Sequence, residues 1–243
     1  MTAVPARAAG GVRPSPEEVR VLAQEYDLVP VVSELLADCD TPVSAFLRLR
    51  PEEGAFLLES VEGGERLARY SFLGGEPLLT ITVAGGVAAI RDENGERREP
   101  CPDPLAIVER ETRRRRVAPA AGVEAPFLGG AIGFLAYEAA RSFERVPLAE
   151  SDELAVPDAW FAIVDTLIVF DHVAHRMILV THARTGGHDV DAAYDAAVQR
   201  IESLRARLRR PLPPPATAPG GDEAGAEGLP ADLDRVASMT RAE

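Results

Sequence analysis

The residues whose types and spacing best suit chemistry fall in one short stretch, Phe56-Leu-Leu-Glu-Ser-Val-Glu-Gly-Gly-Glu-Arg-Leu-Ala-Arg-Tyr-Ser-Phe-Leu-Gly74. Its first half ends in Leu58, Glu59 and Ser60, and its second half opens with Arg69, Tyr70 and Ser71. Two apolar runs on either side of Gly63-Gly64 pattern as a β-hairpin with its polar groups gathered at one end. A carboxylate, serine hydroxyls and a guanidinium in that arrangement complement the ammonium and carboxylate of a small zwitterion. The same pattern also suits an ordinary two-stranded edge with polar ends, and the residues alone leave both readings open.

Other candidate groups carry less. His172 and His175 stand in a turn with no third ligand at a recognisable spacing, and His182 and His188 do not complete a set, so a metal centre is not expected. The run Arg113 to Arg116 closes a helix, where cations complement the macrodipole, and reads as a solvated end rather than a phosphate site. Gly129-Gly130-x-x-Gly133 departs from the dinucleotide fingerprint, and Val123-Glu-Ala-Pro126 before it is no buried parallel strand. Close backbone packing in a sheet is the expected role of these glycines. Every basic residue except histidine is arginine, which removes Schiff-base and P-loop lysine chemistry. Cys39 and Cys101 lie outside any metal or CxxC spacing and read as reduced thiols of a cytoplasmic protein.

Composition sets the frame for these groups. A chain of 243 residues with 46% hydrophobic content can bury a sizeable core. Its 39 acids against 26 bases give a net charge of −13, which repels nucleic acid and anionic membrane, and no apolar run is long enough to span a bilayer. Residues 1–13 lack the apolar core of a secretory signal and read as a disordered leader.

The elements that must position the hairpin follow from periodicity and punctuation. Pro14-Ser-Pro-Glu-Glu opens a helix with a serine cap and proline at its first position. Pro30 to Asp38 mixes extended and helical signals, and Val43 to Arg50 is expected as a strand. Strands at 55–60, 67–73, 78–83 and 86–91 form an expected antiparallel meander, with Gly85-Gly86 a tight turn and Asp92 to Gly95 a loop. A helix capped by Asp103 runs toward Arg116, and Pro126 to Glu144 reads as a small-residue strand leading into a short helix. Trp160 to Asp171 and Arg176 to His182 are expected as two long strands. Val190, Tyr194, Ala197, Ile201, Leu204 and Leu208 mark the buried stripe of a helix over 189–209. Residues 211–230 are a Pro/Gly-rich linker, and 231–243 begin a further element that the sequence leaves short.

Phe56-Leu-Leu-Glu-Ser60 and Arg69-Tyr-Ser-Phe-Leu-Gly74, followed by Gly129-Gly-Ala-Ile-Gly-Phe-Leu-Ala-Tyr-Glu138, resemble in kind and order the N-terminal region of anthranilate synthase component I. The resemblance covers about residues 15–210, and Ser238-Met-Thr-Arg-Ala-Glu243 resembles the lead-in to that family's chorismate-binding catalytic region. It implies an α+β fold with mostly antiparallel sheets flanked by helices, residues 14–210 forming one N-terminal domain and 231–243 starting a truncated catalytic one. It implies an intact enzyme that converts chorismate to anthranilate with Mg2+ and with ammonia from a glutamine amidotransferase subunit, under feedback inhibition by L-tryptophan. Glu59 and Ser60 then correspond to candidate ligands of the inhibitor site, with Leu58 and the segment Arg69, Tyr70 and Ser71 as its wall or lid. The catalytic and Mg2+ residues of the family have no counterparts here, so this chain is expected to be inactive alone. The aminodeoxychorismate synthases share the fold and stand as the alternative, beside a stand-alone amino-acid-binding module.

Overall fold

The computed structural model describes residues 11–49, 54–59, 69–120, 122–142, 144 and 156–213. The linker from residue 214, the segment 231–243 and the leader up to residue 10 lie outside these. Helix α1 (Pro16–Leu22) starts as its sequence dictates: Glu18 N donates to Ser15 Oγ at 3.3 Å, and the Glu18 carboxylate accepts from Ser15 N at 2.7 Å. This reciprocal pair satisfies two otherwise orphaned donors. Val12–Arg13, which fall within the expected leader, form a short strand, β1, against β2 (Leu28–Leu36). Two residues give no periodic signal by which sequence alone would mark them.

The segment after β2 departs from expectation. Residues 42–49 form helix α2 (Pro42–Leu49) rather than a strand. Thr41 and Ser44 exchange side-chain to backbone hydrogen bonds at 3.0 and 3.1 Å, Pro42 is pre-set for the first turn, and Pro42, Ala45 and Leu49 make the buried stripe. The cap and proline outweigh the weak alternation around Phe46.

Two antiparallel sheets follow, built from β3 (Phe56–Glu59), β4 (Tyr70–Gly74), β5 (Leu79–Ala84), β6 (Val87–Asp92), β7 (Gly95–Pro100), β8 (Gly130–Leu135), β9 (Ala159–Val164), β10 (Leu167–Asp171) and β11 (Arg176–Arg184). The first sheet runs β1-β2-β11-β10-β4-β3 and the second β7-β6-β5-β9-β8. The expected meander is therefore divided: β4 belongs to the first sheet, while β5, β6 and β7 form a meander in the second. The break at Gly74 to Pro77 contains a proline and Glu76 at φ 56°, both poor continuations of a ladder. The expected strand from Trp160 to Asp171 is likewise two strands in different sheets. At the break the Asp165 carboxylate accepts from Arg184 Nε at 2.9 Å, and the Asp165 carbonyl accepts from His182 Nδ1 at 2.8 Å. β9 and β10 are buried along most of their length, so no change of period marks the crossing. Strand β7 escaped the pattern because Glu96, Arg97, Arg98 and Glu99 supply no apolar alternation; it is a charged edge of the kind that resists further pairing.

Helix α3 (Pro104–Arg113) is capped by Asp103 and buries Ile107 and Val108 against β5, β6 and β9. Helix α4 (Val190–Leu208) buries Ala197, Ile201, Leu204 and Leu208, and the last three join α2 over one face of the first sheet. The other face packs Val32, Phe72, Val169, Ile178 and Val180 onto β9 and the segment 123–128. The fold is α+β, with mostly antiparallel sheets and helices on the outside. Asp189 accepts from the N–H groups of Asp191 and Ala192 at 2.9 and 3.0 Å. Asp189→Ala is expected to cost about 1 kcal/mol and lower the melting temperature by roughly 2–4 °C, read by circular dichroism.

Candidate functional site

The hairpin exists as the sequence indicates: β3 pairs with β4 in the register Phe56↔Gly74, Leu57↔Leu73, Leu58↔Phe72 and Glu59↔Ser71. Ser60 and the Gly63-Gly64 turn lie outside the described residues. Strand β3 ends the sheet order, and both Glu59 and Leu58, the latter 47% exposed, are open to solvent at this edge. The polar groups do not all face one way. Leu57 and Leu73 pack with α2 and α4, so Glu59 and Ser71, two residues along each strand, belong to that face. Phe56, Phe72 and Tyr70 pack with β9 and the 123–128 segment, which places Leu58 on the opposite face.

Three of the six candidates are held by partners within the chain. Arg69 donates from Nε and Nη2 to the two Asp171 oxygens at 3.1 and 3.0 Å, and its guanidinium lies 4.8 Å from the centre of the Tyr70 ring. Tyr70 donates its hydroxyl to the Glu124 carbonyl, and burial pushes its phenol pKa up. Ser71 is buried, with its Oγ 2.8 Å from His172 Nε2, and the imidazole stacks on Phe170 at 6.2 Å between ring centres. A serine beside a histidine suggests nucleophile and base, but among the described residues no carboxylate orients the other nitrogen of His172. The pair fixes the β4–β10 corner, and the turn histidine has a structural partner that its spacing did not announce.

Asp171 is the centre that sequence reasoning missed. Its side chain is fully buried and accepts from Arg69, from Ala174 N at 3.1 Å and from Arg176 Nη2 at 3.5 Å. Burial disfavours its charge, yet the arginines and the amide together hold the carboxyl below the usual aspartate value. Arg176 Nη1 reaches Glu34 at 3.0 Å, and Glu34 also meets Arg13. A chain of alternating charge thus crosses the sheet from the hairpin to β1. Its paired members lie up to 142 residues apart in sequence, as Glu34 and Arg176 do, so no local motif exposes them.

On the far side of the sheets the glycines of 129–133 serve close packing. A Cβ on Gly129 would meet His182 Cε1 and the Val164 carbonyl at 3.0 Å, and one on Gly133 would lie 2.0 Å from the Trp160 carbonyl. Burial lowers the His182 pKa and keeps its ring neutral. Arg113, Arg114 and Arg116 pair with Glu109, Glu111 and Asp27, as a solvated helix end would.

Residues 54–227 match the family model of chorismate binding enzymes. The chain belongs to that family. Anthranilate synthase component 1 of Acetivibrio thermocellus is 33% identical over 195 residues, covering 80% of this chain and 39% of that protein. The Streptomyces coelicolor protein of the same name is 41% identical over 212 residues, covering 87% and 36%. The chain spans about two fifths of the length of these relatives. A crystal structure of anthranilate synthase component I from Streptococcus pneumoniae aligns with a TM-score of 0.47 at 26% identity, over 74% of this chain and 37% of that one. In this member of the chorismate-binding family the matched span opens at Gly54, just before the hairpin, and includes every later strand and helices α3 and α4. Among the described residues no group of three or more His, Cys, Asp or Glu side chains could hold a metal ion. No described helix is long and apolar enough to cross a membrane.

Proposed function

We propose that this chain is the N-terminal regulatory part of an anthranilate synthase component I, and that L-tryptophan is recognised at the free edge of the β3–β4 hairpin. The observation that carries the reading is the exposure of Leu58 and Glu59 on a terminal strand beside a wall that is already fixed. Glu59 can face an ammonium, Ser60 and the free backbone edge can hydrogen-bond a carboxylate, and Leu58 can lie against an indole. Arg69, Tyr70 and Ser71 are committed to Asp171, Glu124 and His172, so they shape the site rather than donate to the ligand.

In the intact enzyme the chorismate chemistry, the Mg2+ and the contact with a cytoplasmic glutamine amidotransferase subunit belong to further residues, and this chain does not turn over chorismate alone. Purified 243-residue chain with chorismate, Mg2+ and ammonia is expected to give anthranilate fluorescence at the level of the blank; a rate above it overturns the claim. In amide-resolved NMR, tryptophan is expected to bind weakly and to shift Leu58, Glu59 and Ser60 first, because a pocket between two regions loses contacts when one is missing. Shifts that leave this edge untouched, or that survive both Glu59→Ala and Ser60→Ala, overturn the site.

A further inference from the structure

At the edge of the first sheet opposite the hairpin, a cavity of about 360 Å3 opens between α1, β2 and the residues Pro119, Ala120 and Val123. That volume lies within the range of small-molecule sites, which are mostly apolar with a few placed polar groups. The walls fit this description: Leu22, Pro30, Val32 and Val123 supply apolar surface, and the ionised side chains on the lining are Arg13 and Glu18. The two differ in what they have left to offer. Glu18 is turned back to its own helix, accepting from Ser15 N at 2.7 Å. Arg13 uses only Nη2 among the described residues, donating to Glu34 and, at 3.4 Å, to the Gly122 carbonyl. Its Nη1 and Nε retain their donors, and its side chain is 22% exposed.

Charge points the same way. Arg13 ends the chain of ion pairs that runs through Glu34, Arg176 and Asp171 to Arg69, three guanidiniums against two carboxylates. At the cavity end Arg13 shares the Glu34 carboxylate with Arg176, so one acid serves two guanidiniums there, while Glu18 is held at its own helix start. A neutral molecule would leave the spare arginine donors to water, whereas a carboxylate takes them up.

We propose that this cavity binds a small carboxylic acid with an apolar body, its carboxylate on Arg13 and its body among Leu22, Val32 and Val123. The site is separate from the hairpin and does not depend on the function proposed there. Cyclohexanecarboxylate and its neutral counterpart cyclohexanecarboxamide are suitable probes, titrated into the full chain and followed by amide-resolved NMR. The acid is expected to shift Arg13, Leu22, Val32 and Val123 and to bind about tenfold tighter than the amide, the effect of one charge-assisted hydrogen bond. Arg13→Gln is expected to bring the acid down to the affinity of the amide. Equal affinity of the two probes, or shifts centred elsewhere, overturns the proposal. Should Arg13→Gln disturb the fold, Val21→Asp places a carboxylate at the mouth on a residue 65% exposed, where folding is indifferent. Weakening of the acid by about tenfold supports the site, and unchanged affinity overturns it.

Discussion

Asp171→Ala is expected to lower the stability of the fold by about 3–5 kcal/mol, the usual consequence of removing one partner from a buried ion pair. The Asp171 side chain is fully buried, whereas Arg69 and Arg176 are 32% and 27% exposed, so the arginines left behind can recover part of their hydration and the lower end of that range applies. Even so, the loss is a large fraction of the roughly 5–15 kcal/mol that holds a typical domain together. It is measured as a shift of the urea midpoint at neutral pH. The acid limb supplies an independent reading. The folded state holds the Asp171 carboxyl below its ordinary value of 3.8, so the unfolded chain takes up the proton first as the medium is acidified. The stabilisation is fully present well above pH 3.8, begins to fade as the pH approaches that value, and continues to fall through the lower folded pKa. Asp171→Asn keeps the shape of the side chain and removes the titration, so its stability should fall less steeply below that pH. An Asn variant with the parent's full acid limb would sink the assignment.

The contrast between Asp171 and its neighbours shows what a sequence can and cannot disclose. The hairpin is legible because it is local: two apolar runs lie close in sequence, and β3 and β4 fall within a few residues of their expected bounds. Helix α4 is legible because its buried stripe repeats over five turns, and Asp189 caps it where the period begins. The sheet change at Asp165-Thr166 is not legible, since β9 and β10 are apolar and largely buried and the pattern reads as one strand. Nor is the division of the hairpin's polar groups between two faces, although the period of two would have given it once the strand bounds were fixed: Glu59 and Ser71 share a register position, and Leu58 does not join them. Arg69 has its partner 102 positions away, and only the β4–β10 pairing brings the two together.

Gly133→Ala is the other large effect, expected to cost about 3 kcal/mol or more. A Cβ at this position would lie 2.0 Å from the Trp160 carbonyl and 2.7 Å from Phe161 Cα, both backbone atoms of the neighbouring strand. A side-chain neighbour could rotate aside, but here β8 must separate from β9, and the ladder Ile132↔Ala162, Gly133↔Phe161, Phe134↔Trp160 is what holds it. Gly95→Ala provides the comparison: its φ of 124° makes alanine strained, yet nothing lies within 4 Å of the new atom, so only the conformational cost of about 1–3 kcal/mol applies. Urea unfolding should therefore rank Gly133→Ala as the more damaging, and hydrogen exchange should show the amides of β8 and β9 losing protection before those of β10 and β11. The consequence reaches the hairpin through packing, because Trp160, Ala162 and Val164 of β9 share a core cluster with Tyr70 and Phe72 of β4. Loosening β9 removes the support beneath Tyr70, so tryptophan-dependent shifts at Leu58 and Glu59 should weaken in Gly133→Ala and persist in Gly95→Ala. Parent-like stability of Gly133→Ala would mean that the two strands do not approach this closely.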